Sequence, residues 1–180
     1  MNYCSECGGK VSWRIPPLED MPRFVCDNCG VIHYENPKMV VGAIPEENGR
    51  ILFCRRAIDP RRDKWTLPAG YLENGETISA CAQRETLEEA WAQIESLKAY
   101  ALINIPFINQ VYFMFRARLV NDDYRAGTES LEVKLFSVEE IPWDDLAFRV
   151  IHDVLQVYTE DVKTGVFPFR IMDVEPITID

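Results

Sequence analysis

The chain has 180 residues, 47% hydrophobic and 27% charged, with 29 acidic against 19 basic side chains and a formal net charge of −10. That length buries one good core beside a small satellite module, and the composition excludes a disordered chain. So acidic a surface repels nucleic acid, so no nucleic-acid partner is expected, whereas a small phosphate compound can still bind if metal ions bridge the two negative partners.

The chain opens Met1-Asn2-Tyr3-Cys4 without a leader-like segment, and no stretch approaches the roughly 18 apolar residues that span a bilayer. The expectation is a soluble, cytoplasmic protein with no membrane partner. Residues 1–36 read as a first module. Four of the six cysteines come in pairs, Cys4-x2-Cys7 and Cys26-x2-Cys29, with 18 residues between them. Gly8 and Gly30 each follow the second cysteine of a pair, where a tight turn needs positive φ. This spacing matches a four-cysteine Zn²⁺ site, closed and therefore structural. Two disulfides or four free thiols is the competing reading. His33 is read as an ordinary polar residue, since four cysteines suffice.

Asn36-Pro37 marks a boundary, because proline disfavours helix at the residue before it. Residues 37–180 are the second module. Met39 to Ile44 is an apolar run of the buried-strand type, and Glu46-Glu47-Asn48-Gly49 turns into a second strand at Arg50–Cys54. A charged loop, 59–64, leads to an extended piece ending at Gly70. Strands are expected at 111–119 and 132–136, and a helix at about 146–159. Strands mixed with helices argue an α/β layered fold.

The best helix candidate begins after Thr77, an N-cap hydroxyl, and runs to about Ile94. Glu85, Glu88 and Glu89 stand at i, i+3 and i+4, on one face. Like charges so placed cost a few tenths of a kcal/mol per pair, which a hard oxygen-seeking cation such as Mg²⁺ would offset. On the helical wheel Glu85 and Glu89 fall beside Ile78 and Ala82, while Ala80, Leu87, Trp91 and Ile94 form an opposite apolar stripe. Three glutamates alone read as a solvated acidic face. The longer string is far more specific: Gly70, five residues, Glu76, seven residues, Arg84-Glu85, two residues, Glu88-Glu89.

Here the chain resembles the Nudix hydrolase family, whose signature is Gly-x5-Glu-x7-Arg-Glu-U-x-Glu-Glu-x-Gly-U, with U bulky and apolar. Gly70, Glu76, Arg84, Glu85, Glu88 and Glu89 match. Thr86 and Ala92 stand where bulky apolar residues are usual, and Trp91 where glycine is usual. The resemblance implies an α/β/α sandwich with a mixed sheet, preceded by a zinc ribbon. It implies that Glu85, Glu88 and Glu89, with the carbonyl of Gly70, ligate two or three Mg²⁺ or Mn²⁺ ions, and that Arg84 and Glu76 form an internal pair orienting the helix. The implied reaction is attack of an activated water on one phosphorus of P–O–P, releasing two monophosphates. The base is Glu85, Glu89 or a glutamate beyond the box, where Glu129 and Glu132 lie; Glu132 is placed in the catalytic set.

The order of zinc module then Nudix domain resembles two subfamilies. The NADH pyrophosphatase group carries a downstream Ser-Gln-Pro-Trp-Pro-Phe-Pro marker, where this chain has Ile105-Pro106-Phe107-Ile108-Asn109-Gln110-Val111-Tyr112. The FAD or ADP-ribose pyrophosphatase type is closer, through the Cys-x2-Cys-Gly pairs, Trp65 to Glu73, and Glu129-Ser130-Leu131-Glu132 before Ile141-Pro142-Trp143. FAD or ADP-ribose is therefore the expected substrate, with AMP as one product. Arg55, Arg56, Arg61, Arg62 and Lys64 are candidates for phosphate or ribose contacts, Arg55 and Arg56 foremost. Phe107, Tyr112 and Phe115 are candidates to stack on a ring, and Tyr112 is retained because strand alternation sends Phe115 the opposite way. NADH is the alternative substrate, and a non-catalytic nucleotide-sensing module built on the zinc ribbon is the rival from another class. The apolar tail from Lys163 to Asp180 is offered as a docking segment for a partner subunit in a homodimer.

Overall fold

The computed structural model describes residues 1–120 and 122–176. The chain divides into two compact units, Met1–Pro37 and Lys38–Asp180. The first unit holds strands the sequence reading left unassigned: β1 (Val11–Arg14), β2 (Arg23–Cys26) and β3 (Ile32–His33), paired antiparallel in that order. Each cysteine pair sits in a tight turn. Gly8 N–H donates to the Cys4 carbonyl at 2.9 Å and Gly30 N–H to the Cys26 carbonyl at 3.1 Å. Gly8 and Gly30 have φ of 70° and 76°, which disfavour any side chain there. The buried apolar side chains of this unit are Cys4, Val25 and Cys26, with Pro16. So small a core does not hold three short strands by apolar burial alone.

The second unit is built on one mixed sheet. Its strands are β4 (Lys38–Glu47), β5 (Arg50–Arg56), β6 (Trp65–Thr66), β7 (Ala69–Tyr71), β8 (Ile94–Ile105), β9 (Gln110–Leu119), β10 (Ser130–Ser137) and β11 (Arg170–Asp173). The main order is β10-β5-β4-β9-β8-β11, with β6 on β5 and β7 on β4. Central β4 runs parallel to β9, and β11 parallel to β8; the other neighbours are antiparallel. Helix α1 (Ile78–Ala90) covers one face and α2 (Arg149–Thr164) the other. Alternation along β5 sorts its side chains. Leu52 and Cys54 pack with Cys81, Ala82 and Ala90 of α1, while Ile51 and Phe53 pack with Val150, Ile151 and Val154 of α2. The result is an α/β/α sandwich. Among the described residues, no helix is long and apolar enough to cross a membrane.

Three expectations are corrected. Helix α1 ends at Ala90, not near Ile94, because Trp91 takes the left-handed conformation at φ 51°. Its supposed second apolar stripe is solvent-facing, with Leu87 and Trp91 about half exposed and Ala80 exposed, and Ile94 already belongs to β8. Helix α2 starts at Arg149 and continues to Thr164, where Gly165 caps it.

Part of the tail also joins the sheet. Strand β11 adds to the sheet, and Arg170 makes a two-nitrogen clasp on buried Asp161 at 2.6 and 2.5 Å, which also accepts from the Tyr100 hydroxyl at 2.6 Å. Residues 170–173 therefore pair within their own chain, and residues 177–180 of the proposed docking segment lie outside the described residues.

Candidate functional site

In the N-terminal unit the four cysteine sulfurs, with ligand atoms all within 4.8 Å of one another, form the one such group of three or more metal-binding residues found among the described residues. Cys4 and Cys29 sulfurs are 3.8 Å apart, and Cys7 and Cys26 sulfurs 3.5 Å. The edge of a tetrahedron with Zn–S of about 2.3 Å is roughly 3.8 Å, so the set fits Zn²⁺. The Gly9 N–H, then the Asn28 amide, draws the Cys7 thiol down to about 6, ready for a cation. Cys29 is pushed up to about 12 although the Val31 N–H favours its thiolate, because the sulfurs of Cys26, Cys7 and Cys4 crowd it. A divalent ion removes that crowding. His33 is nearer than expected: its Nε2 lies 3.3 Å from Cys4 Sγ, at the edge of the cluster.

In the second unit, Thr77 caps α1 by accepting the Ala80 N–H at 3.1 Å. The helix turns Glu85 and Glu89 toward the sheet, both buried, and leaves the Glu88 side chain 58% exposed. Strand β7 brings Gly70 against Glu85 so closely that a β-carbon at Gly70 would fall 2.2 Å from the carboxylate. That contact explains the glycine: a side chain would occupy the space of the carboxylate. Burial pushes the Glu85 carboxyl up. Glu89 rises to about 8, first through burial and then through the charge of Glu85, while Arg56 and the Ala69 N–H pull the other way. Two carboxylates forced together in a poorly hydrated place favour a proton or a cation.

Arg84 organises the face. It clasps Glu76 through Nε at 3.1 Å and a terminal nitrogen at 2.7 Å, and reaches Glu85 at 2.6 Å and Glu88 at 3.1 Å. It also donates to the Tyr71 carbonyl at 3.1 Å, tying α1 to β7. The clasp holds the Glu76 carboxyl at about 2. The pair implied by the resemblance is therefore present, and it lies beside the carboxylates that a metal would use.

The loop after β9 returns over the C-terminal end of α1. Arg125 N–H donates to the Ala90 carbonyl and Gly127 N–H to the Glu89 carbonyl, each at 2.9 Å. The Arg125 guanidinium stacks 4.3 Å from the Trp91 ring centre, a contact that a glycine at position 91 would lack. This path carries Glu129 to the site, where its charge acts on both Glu85 and Glu89. Glu132 is placed differently. It stands opposite Arg55 on β10 and pairs with it at 3.6 Å, and Arg55 also pairs with Asp63. Arg55 is thus engaged by carboxylates.

Arg56 enters a cavity of about 450 Å³, walled on one side by Ala69, Gly70 and Tyr71. Its guanidinium lies 5.0 Å from the Phe148 ring centre, and its Nε donates to the Pro60 carbonyl at 2.9 Å. Tyr112 and Phe107 also line the cavity, whereas Phe115 is buried in the core below α1. Arg61 and Arg149 complete the lining relevant to charge. Arg149 and Phe148 had no signal in the sequence beyond the start of a helix, because their relevance comes from where α2 begins in space.

A sequence model of the NUDIX domain matches residues 36–155, well over half of the chain. The chain belongs to the NUDIX domain family. Residues 2–35 match a further family described as Nudix N-terminal. The crystal structure of a Nudix hydrolase from Nitrosomonas europaea is 51% identical, superposes with a TM-score of 0.93, and covers 97% of this chain and 99% of that one. Among curated proteins, the NAD-capped RNA hydrolase NudC of Vibrio parahaemolyticus is 28% identical over 148 residues, 79% of this chain and 53% of that protein. The chain spans about half the length of the curated relatives it matches. An ADP-ribose pyrophosphatase from Streptococcus suis shares the fold, with a TM-score of 0.61 at 17% identity over 77% of this chain and all 100% of that one. Nudix enzymes work with Mg²⁺ or Mn²⁺, and the buried glutamate pair beside Gly70 is an oxygen donor set of the kind these ions take. The N-terminal unit of this Nudix-family chain is correspondingly its structural zinc module.

Proposed function

We propose that this Nudix hydrolase cleaves the diphosphate bond of a nucleoside-diphosphate-linked small molecule, FAD or ADP-ribose foremost, releasing AMP and a second monophosphate. The observation that carries this reading is the shared wall. Gly70 touches the carboxylate of Glu85 on one side and lines the 450 Å³ cavity on the other. A cavity of that size holds the organic half of such a substrate, with Tyr112 and Phe107 offering ring faces. Its diphosphate then lies at the glutamates.

In this reading Glu85, Glu88, Glu89 and the Gly70 carbonyl hold the ions, and Arg84 and Glu76 keep the helix carboxylates in place. Bound Mg²⁺ or Mn²⁺ neutralises phosphate charge and acidifies water. Glu129 takes the proton from the attacking water as the new P–O bond forms and the P–O–P bridge breaks, the bridging oxygen leaving on the second monophosphate. Glu129 is preferred to Glu132 because its charge acts on Glu85 and Glu89, whereas Glu132 faces Arg55. Arg56, whose charge acts on Glu89, contacts the diphosphate.

A second reading has its own support. The likeness to NudC proteins runs over as much as 91% of this chain, which favours NADH or an NAD cap on RNA. Against it, residues 105–112, where the NADH pyrophosphatase group carries its marker, differ, and Ile105, Phe107, Ile108, Gln110 and Tyr112 of that stretch line the cavity. Product chromatography after incubation with FAD, ADP-ribose, NADH, NAD-capped RNA and a nucleoside triphosphate, each with Mg²⁺ or Mn²⁺, decides. AMP from FAD or ADP-ribose, abolished by Glu89→Gln, supports the first reading. Preferred cleavage of NADH or capped RNA selects the second, and ligand binding without turnover by folded, zinc-loaded protein refutes both.

A further inference from the structure

The cavity carries more positive charge than a diphosphate at the metal site explains. Arg56, Arg61 and Arg149 line it, and among the described residues no aspartate or glutamate does, in a chain of net charge −10. The three arginines come from unrelated places: the end of β5, the following loop, and the first residue of α2. Arg61 is exposed, in a left-handed backbone conformation at φ 65°. Arg149 makes a contact with Asp153 at 3.4 Å, with half of the arginine side chain in solvent, an interaction weak enough for a phosphate to displace. Arg56 already acts on Glu89 and so serves the metal end. Arg61 and Arg149 are left facing the organic half.

We propose that Arg61 and Arg149 form a second anion subsite, which receives a phosphomonoester carried on the ribose of the substrate half that enters the cavity. This inference rests on the reading of the chain as a hydrolase of nucleoside-diphosphate-linked compounds, and within that class it adds a preference for a member bearing an extra ribose phosphate over its unphosphorylated counterpart. Guanidinium groups suit it because they hold phosphate through two parallel N–H donors. Phe148, with Arg56 over one face, gives the subsite an apolar floor that limits competition from water.

Matched substrate pairs test it at fixed free Mg²⁺: NADPH against NADH, and coenzyme A against its form lacking the 3′-phosphate. The wild type is expected to favour the phosphorylated member by roughly tenfold or more in kcat/KM, mostly through KM, as hydrogen bonds to a charged group provide. Arg61→Gln/Arg149→Gln is expected to bring that ratio to about one. Lys163→Gln, which removes a charge from the far end of α2, leaves the ratio at its wild-type value. A wild-type ratio of about one, or a ratio unmoved in the double variant or moved equally by Lys163→Gln, overturns the subsite. If no member of either pair is cleaved, cleavage of FAD or ADP-ribose decides the diphosphate reading, and calorimetry decides the subsite separately. Adenosine 2′,5′-bisphosphate binding more tightly than AMP, with the advantage lost in the double variant, supports it; equal affinities overturn it.

Discussion

The N–H of Gly127 donates to the carbonyl of Glu89 at 2.9 Å, so the loop that carries Glu129 is fastened to the last turn of the helix that carries the candidate metal ligands. A β-carbon at Gly127 would lie 1.8 Å from the Glu88 carbonyl oxygen, and backbone cannot give way as a flexible side chain can. Gly127→Ala is therefore expected to lift the loop off α1. Thermal or urea denaturation should show a loss of about 1–3 kcal/mol, the usual cost of overpacking. Turnover should fall more steeply than stability, because Glu129 moves with the loop. Wild-type turnover in this variant would remove the loop from the mechanism.

The two glutamates of that region should separate cleanly. Glu129→Gln is expected to lower kcat by about 10²–10⁴, the range for losing a positioned general base, with little change in stability. Glu132→Gln breaks an exposed pair with Arg55 and should cost less than about tenfold. Steady-state kinetics at saturating metal checks both, and the reverse order would restore Glu132 to the catalytic set.

Glu89 sets a pH dependence. Its folded-state pKa is raised to about 8, so its contribution to stability is complete below the unfolded carboxyl pKa and is lost as pH rises through about 8. In metal-free protein the difference in Tm between wild type and Glu89→Gln should therefore shift against the wild type from about pH 4.5 upward. Added Mg²⁺ needs the carboxylate and should stabilise little at pH 6 and progressively more toward pH 8.5. A Mg²⁺ shift independent of pH, or equal in Glu89→Gln, would argue against Glu89 as a ligand.

Zinc removal should act on residues 1–37 first. Their buried apolar residues are few, so the metal supplies most of the folding free energy, on the order of 10 kcal/mol in comparable small modules. Chelation, or Cys26→Ser, is expected to open this segment to limited proteolysis while the second unit keeps its cooperative thermal transition. Retained protease resistance without metal would show that the strands hold by themselves.

Much of the chemistry was legible in the chain because it is local. Cys-x2-Cys needs one turn, and Glu85, Glu88 and Glu89 need only 3.6 residues per turn to share a face, so their spacing survives whatever the rest of the fold does. Helix and strand boundaries were less so. Trp91 ends α1 through a backbone conformation that propensity disfavours, and β8 was missed where Ser96, at φ 54°, and two register shifts break its alternation.

The sequence by itself determined the metal chemistry: four thiolates for a closed site, and clustered carboxylates for a hard cation. Only the tertiary structure decided which glutamate outside the box approaches it, which arginines line the cavity, and that residues 170–173 join the sheet as β11. Those choices join Gly70, Arg56, Arg61, Glu129 and Arg149 across long stretches of chain. No periodicity links such residues, because the sheet order and the path of loops over α1 and α2 set their distances.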